Sequence, residues 1–355
     1  MHTVEKIPER KAGRRLRTPT VLAALLVLLT VSSVISTGFG AEPLPPHVVV
    51  DVLRDKLFGD LSDPTYYAIV WDIRVPRTLL AILVGAGLAV AGAGIQTLVR
   101  NPLADPYLLG VSSGASVGAT AVITAGFLAV AGLWALSLGA LLGALGAALL
   151  VFGVAMIQGG LTPLRLVLTG TVLSAAFSAI ASFLVFRSAD PQAAQSVLFW
   201  LLGSLSGAAW NQLPLPMGTV TAISLLLLAG SGWLDALAAG PDTAAALGVP
   251  VRAVRNILFV LLAALVGVLV AVAGGIGFVG LVLPHISRLL VGARHRAVLP
   301  VAALSGSLFL VWVDVAARVL VRPTEVPLSV VTGLIGAPVF LFLLGRRHYQ
   351  FGGSS

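Results

Sequence analysis

RVPRTLLAILVGAGLAVAGAGIQTLVRNPLADPYLLGVSSG, residues 74–114, decides the fold. Arg74 and Arg77 bracket the start of an apolar run that extends from Val75 to Val99, and the polar turn Asn101-Pro102-Leu103-Ala104-Asp105-Pro106 follows it. At 1.5 Å of rise per residue, the run meets the roughly 20 residues that a helix needs to cross hydrocarbon. Gly85, Gly87, Ala91, Gly92 and Gly94 let neighbouring helix backbones come close. The run therefore reads as a tightly packed membrane span rather than a lipid-bathed anchor.

Composition says the same of the whole chain. Charged residues make up 10% and hydrophobic residues 58% of the 355 positions, whereas a soluble domain carries roughly a quarter charged residues. The apolar runs lack period-two alternation, so the spans are helices rather than barrel strands. A net charge of +8 would favour nucleic acid in a soluble protein. Here it reads as cytoplasmic loop charge, because Lys and Arg set membrane topology, and no nucleic-acid partner is expected. With no cysteine, disulfides, thiolate metal ligands and cysteine nucleophiles are excluded.

Ten spans are expected, at about 20–37, 73–98, 107–126, 132–157, 164–186, 213–232, 257–275, 276–292, 298–321 and 327–345. Residues 1–19 form a basic cytoplasmic tail, 20–345 a single ten-helix domain, and 346–355 a cytoplasmic C-terminal tail. A charged start before a short apolar core also fits a cleavable signal peptide; the basic tail favours an N-terminus held inside. With both ends cytoplasmic, inside segments hold 15 Lys and Arg and outside segments 7, a bias in the expected sense. The short, glycine-broken segment 196–210 is placed as an outer-face helix, since a further span would invert everything after it. AVAG recurs at 89–92 and 271–274, in spans that run in opposite directions, which hints at an inverted repeat of spans 2–5 and 7–10.

The polar residues that interrupt these spans are few. Arg74 and Arg77, three apart, share one face of a helical turn. Asp314 and Arg318 stand at i and i+4, so a carboxylate that would be expensive within a span has a partner on its own helix. Asn101-Pro102 is turn chemistry. Residues 240–256 are polar, with helix-start chemistry at Asp242 or Thr243, and are longer than a minimal turn. His285 has no partner at metal-ligand spacing and reads as a structural histidine. Neither a phosphate-binding GxxxxGK[ST] loop nor a zinc motif occurs, so ATP hydrolysis is not expected in this chain.

The order RVPR, GAGLAVAG and RNPLADPYLLGVSSGAS resembles the signature of the FecCD-type permeases. TAAALGVPV at 243–251, GGIGFVGLVLPHISR at 274–288, DVAAR at 314–318 and EVPLSVVTGLIGAPVF at 325–340 are similar to the same family in the same order. These are the membrane subunits of binding-protein-dependent ABC importers for iron-siderophores, heme and vitamin B12. The resemblance implies the type II ABC importer permease fold and a homodimer in a bacterial cytoplasmic membrane. It also implies an extracytoplasmic substrate-binding protein and two separate ATPase subunits that bind ATP and Mg. It places binding-protein docking at Arg74, Arg77 and Arg318, with Asp314 orienting Arg318. ATPase coupling falls at Thr243, Ala245, Leu247, Gly248 and Val249, on a pair of short helices. Asn101 and Leu103 become gate residues at the inner mouth, joined by Thr162, where GGLTPLR departs from the family's usual small hydroxyl residues. Glu325 and Ser329 begin span ten beside the pathway, and Ser329 stands where relatives commonly have glycine. The cargo implied first is a ferric siderophore, then heme or cobalamin, with no cofactor in this chain.

Two rivals come from other classes. An ion-driven secondary transporter would want buried ionisable residues along the spans, and Asp314 is nearly alone. An intramembrane enzyme would need a nucleophile–base pair or metal ligands, and the sequence offers neither.

Overall fold

The computed structural model describes residues 17–40, 42–59 and 63–345, so the basic residues Lys6 to Arg15 and the C-terminal segment 346–355 lie outside the described residues. The described chain is helical. Helix α1 (Thr18–Gly38) leads to α2 (Pro46–Phe58) and a short α3 (Pro64–Tyr67), which passes through a π-helical stretch (Ala68–Arg74) into α4 (Val75–Leu98). After α5 (Val111–Ala125), α6 (Ala135–Ile157) and α7 (Pro163–Arg187) come a short α8 (Ala193–Leu201) and α9 (Pro214–Ala229). Helices α10 (Ser231–Ala239) and α11 (Pro241–Ala246) precede α12 (Val251–Ala273), α13 (Val279–Val291), α14 (His295–Val319) and α15 (Leu328–Gly345).

Each of the ten expected segments coincides with one helix. Among the described residues, seven helices are long and apolar enough to cross a membrane; Val111–Ala125, Val279–Val291 and Leu328–Leu343 are shorter apolar helices. Local chemistry sets many of the boundaries. Proline at the first turn opens α1, α4, α7, α9 and α11, where its missing N–H removes nothing from the helix.

Helix α4 is the hub. Of its hydrophobic window 78% is buried, against 22% for α7. Helix α14 runs antiparallel to it, so Arg77 meets Asp314 at one end and Thr97 meets His295 at the other. Midway, a Cβ on Gly85 would lie 2.3 Å from the Gly306 carbonyl oxygen, so the two backbones touch. On another face of α4, a Cβ on Gly92 would lie 1.8 Å from the carbonyl oxygen of Gly280 in α13. Such contacts hold membrane helices together where lipid supplies no hydrophobic drive.

The register across α4 and α12, where Gly87 faces Leu269 and Gly94 faces Leu262, fixes the depth of the break between α12 and α13. With Gly280 beside Gly92, residues 274–277 lie level with the middle of α4. Helix α8 reaches the same level: a Cβ on Gly203 would lie 2.7 Å from the Gly275 oxygen. The chain then returns to the Arg77 end, where the Trp210 indole N–H donates to the Trp71 carbonyl at 2.9 Å. Residues 193–210 thus form a re-entrant excursion, neither a span nor the surface helix expected from sequence. The directions of the later helices are preserved because the excursion goes in and comes back. The second helix of each expected repeat, α5 with 15 residues and α13 with 13, is short, and each follows irregular backbone.

Candidate translocation and coupling sites

At the Arg77 end, three arginines and two carboxylates from three parts of the chain converge. Arg77 donates from Nε to Asp314 Oδ1 at 2.8 Å and, through both terminal nitrogens, to the two Glu325 oxygens at 2.6 and 2.8 Å. Such a two-pronged pairing is the geometry a guanidinium is built for. Arg318 Nε lies 2.9 Å from Asp314 Oδ2, and its terminal nitrogens reach the Phe39 and Ser36 carbonyls. Arg74 donates to the carbonyls of Thr37, Gly38 and Glu42 at 2.9, 3.1 and 2.6 Å. All three arginines are buried, at 8, 7 and 6% exposure for Arg74, Arg77 and Arg318.

The charges read as docking groups therefore bind the end of α1, α14 and the start of α15 together. Direct contact with a partner protein needs exposure that these side chains lack. Asp314 faces two arginines, Arg77 and Arg318, rather than Arg318 alone. Glu325 proves to be the second carboxylate of this cluster, a partner 248 residues from Arg77 in sequence.

At mid-depth, the three backbone breaks are tied to one another. The Tyr107 hydroxyl accepts from Ile276 N–H at 2.7 Å and donates to the Ile276 carbonyl at 3.0 Å. Ser204 N–H donates to Ala273, Leu328 N–H to Gly203 and Ser329 N–H to Leu202, each at 3.0 Å. Ser329 Oγ donates to Gly275 O at 2.6 Å. Irregular backbone at membrane depth is tolerated where its polar groups are satisfied inside protein, and this junction does that. The Ser329 hydroxyl, expected as a small polar group lining a pathway, instead holds α15 to the α12–α13 break.

At the opposite end, Asn101 Oδ1 accepts from Leu103 N–H at 2.9 Å in an Asx turn, and Asp105 repeats the device with Tyr107 N–H at 2.8 Å. Asn101 is exposed and Leu103 partly so. Thr162 accepts from Arg165 N–H at 3.4 Å and so caps α7. It lines a cavity of about 270 Å³ with Val251, Arg252, Arg255 and Asn256 at the head of α12. Thr162 is thus brought to the coupling segment.

Within that segment a single six-residue helix, α11, stands where a pair of short helices was expected, and the second element is the beginning of α12. Ala244 is fully buried and anchors it, Thr243 and Ala245 are exposed, and Leu247 protrudes with 69% exposure. Gly248, at φ 77°, turns the chain, and Val249 folds back inward at 9% exposure. His285 is buried in α13. A second buried histidine, His295, has Nδ1 and Nε2 facing Asp235 at 2.6 Å and Thr97 at 2.7 Å. No sequence pattern marks it, because its partners stand 60 and 198 residues away. Among the described residues no group of three or more metal-ligating side chains comes together.

Helices packed through bare backbone, breaks satisfied at mid-depth and a protruding short helix at one end define a polytopic helical membrane protein. The chain matches the model of the FecCD transport family over residues 15–346 and belongs to that family. It is 37% identical over 322 residues to the molybdate import system permease protein MolB of Haemophilus influenzae, covering 91% of this chain and 94% of that one. It is 39% identical over 323 residues to the vitamin B12 import system permease protein BtuC of Citrobacter koseri, covering 91% and 93%. A solved inward-facing conformation of a metal-chelate type ABC transporter aligns with TM-score 0.82 at 36% identity, covering 93% of this chain and all of that one. The chain is accordingly an ABC importer permease subunit, multi-pass in the membrane.

Proposed function

We propose that this permease passes a metal chelate, in the first instance a ferric siderophore, from an extracytoplasmic binding protein to the cytoplasm by alternating access. Heme and cobalamin are the other cargoes of the reading, and the similarity to a molybdate permease widens the set of metal-containing anions worth testing. The observation that carries the proposal is the pair of unlike ends. One end is locked by the Arg77–Asp314–Glu325 cluster; the other presents the anchored tip at Leu247 beside the Asn101 and Thr162 turns.

In this reading α11 seats in a partner ATPase that binds ATP and Mg, and two such ATPases serve two permease copies. Both termini are cytoplasmic, in a bacterial inner membrane. The second copy covers α7 and α15, whose Val172, Phe183 and Leu334 are exposed at 67, 59 and 72% in the single chain. Two facing α7 and α15 helices would line a twofold pathway. The rigid Arg77 end forms the floor on which the binding protein sits, with contacts supplied by exposed neighbours rather than by the arginines.

The test is reconstitution of the permease with its ATPase in liposomes, supplied with binding protein and ferric siderophore, heme, cobalamin or molybdate in turn. ATP-dependent accumulation of a ferric siderophore supports the reading. Accumulation of another cargo alone replaces the substrate. Uptake driven by an ion gradient without ATP overturns it.

A further inference from the structure

Helix α14 begins at His295, and Arg294 before it makes no capping hydrogen bond with its side chain. The free N–H groups of a helix start need acceptors. Here the acceptor comes from another helix: Asp235, midway along α10, takes the His295 backbone N–H at 2.9 Å on the same oxygen that faces Nδ1 at 2.6 Å. A carboxylate at that position also complements the positive end of the α14 dipole. The other ring nitrogen faces Thr97 Oγ1 at 2.7 Å, in the last turn of α4.

What lies on either side of this chain of contacts gives it meaning. The turn after α4 is built on the carbonyls of Thr97 and Gln96, which accept from Arg100 N–H at 3.3 Å and Asn101 N–H at 3.1 Å. On the other side, α10 is separated from α11 by Gly240 alone, and Ala244 N–H donates to the Gly240 carbonyl at 2.9 Å. The side chain of His295 is 4% exposed and that of Asp235 38%. The link is therefore dry at its centre and reaches solvent only beside the coupling segment.

We propose that Asp235, His295 and Thr97 form a strut that carries displacement of the coupling helix α11 to the Asn101–Leu103 turn at the end of α4. The three are positioning residues. Pushing α11 moves α10 with it, Asp235 draws on the start of α14, and His295 transfers the movement through one hydroxyl to the turn-bearing end of α4. The inference rests on the coupling role proposed above for residues 243–249.

The chain has no cysteine, so Leu103→Cys provides a single attachment point for an environment-sensitive fluorophore in the assembled importer. ATP binding should change its emission. Thr97→Val, which keeps shape and removes the hydroxyl, should reduce that change several-fold while ATPase activity and co-purification stay at the parent level. Thr97→Ser should restore it. An undiminished signal in Thr97→Val, or a loss in Thr97→Ser equal to that in Thr97→Val, overturns the strut. Should Thr97→Val fail to assemble, Asp235→Leu, at a partly exposed position, removes the acceptor for both His295 bonds and carries the same test: a reduced signal supports the strut and an undiminished one overturns it. Leu247→Asp serves as the control for the coupling reading itself. If it leaves co-purification of the ATPase intact, that reading fails whatever Thr97→Val does.

Discussion

Asp314→Asn tests the cluster at the Arg77 end most directly. Asp314 is 1% exposed and holds Arg77 Nε at 2.8 Å and Arg318 Nε at 2.9 Å. Asparagine keeps the shape and removes the charge, leaving two buried guanidinium groups to share Glu325. Stripping one partner from a buried ion pair costs about 3–5 kcal/mol, because the remaining charge stays desolvated. Glu325→Gln removes a charge from the same cluster, yet that side chain is 39% exposed, and water limits its cost to roughly 1 kcal/mol or less. The two substitutions share chemistry, but Asp314 is buried and faces two arginines while Glu325 is partly exposed and faces one, so the larger shift belongs to Asp314→Asn. For a chain of this size a kcal/mol moves Tm by about 2 °C, which puts Asp314→Asn about 6–10 °C below wild type and Glu325→Gln within about 2 °C of it. Thermal unfolding in detergent, followed by the fluorescence of the six tryptophans, measures both. Equal shifts for the two variants would refute the claim that burial of charge, rather than mere presence of an ion pair, makes this cluster stiff.

Three further outcomes follow from named contacts. Gly92→Ala, whose methyl would stand 1.8 Å from the Gly280 oxygen, should abolish accumulation of folded permease, whereas Gly146→Ala, with nothing within 4 Å, should leave yield and Tm unchanged or slightly raised; size-exclusion profiles in detergent decide. Tyr107→Phe removes both Ile276 bonds and should raise hydrogen exchange at residues 274–277, at a stability cost of roughly 1–3 kcal/mol; unchanged exchange there would mean that the hydroxyl does not hold the break. Leu247→Asp, at a position 69% exposed, should preserve Tm and release the ATPase subunit on co-purification.

The helical spans were legible because a bilayer leaves little choice: a long apolar run without alternation has to be a helix. What hydropathy does not carry is depth. GGIGF at 274–278 reads correctly as the boundary between two helices, yet the same residues suit an exposed turn and a buried break equally well. Only the apposition of Gly92 with Gly280 and of Gly87 with Leu269 places that boundary at mid-membrane. The excursion at 193–210 escaped for the same reason, since nine helical residues and a glycine describe a surface helix as well as a re-entrant one. The protruding short helix at Leu247 was legible because exposure follows from polarity and from the Gly-Val-Pro stop that forces the chain to turn.

The arginines show the limit most clearly. An arginine at the mouth of a span has two ways to escape hydrocarbon: outward to water and partners, or inward to carboxylates and carbonyls. Sequence near Arg77 does not distinguish them, because both acceptors lie more than 230 residues away, at 237 and 248. Asp314 and Arg318 at i, i+4 was the one local sign that a carboxylate waited inside, and it supported half of the observed cluster. The same reasoning separates the two histidines. His285 stands in a conspicuous motif and His295 in an unremarkable one. His295 meets a carboxylate at 2.6 Å and a hydroxyl at 2.7 Å, because antiparallel packing of α4 and α14 brings Thr97 to the ring and α10 brings Asp235. Exchanging the two consequences gives a discriminating measurement: His285→Ala should leave the nucleotide-dependent signal at Leu103→Cys in place, and His295→Ala should diminish it. The reverse order would show that the path from coupling segment to gate runs through α13 rather than through the start of α14.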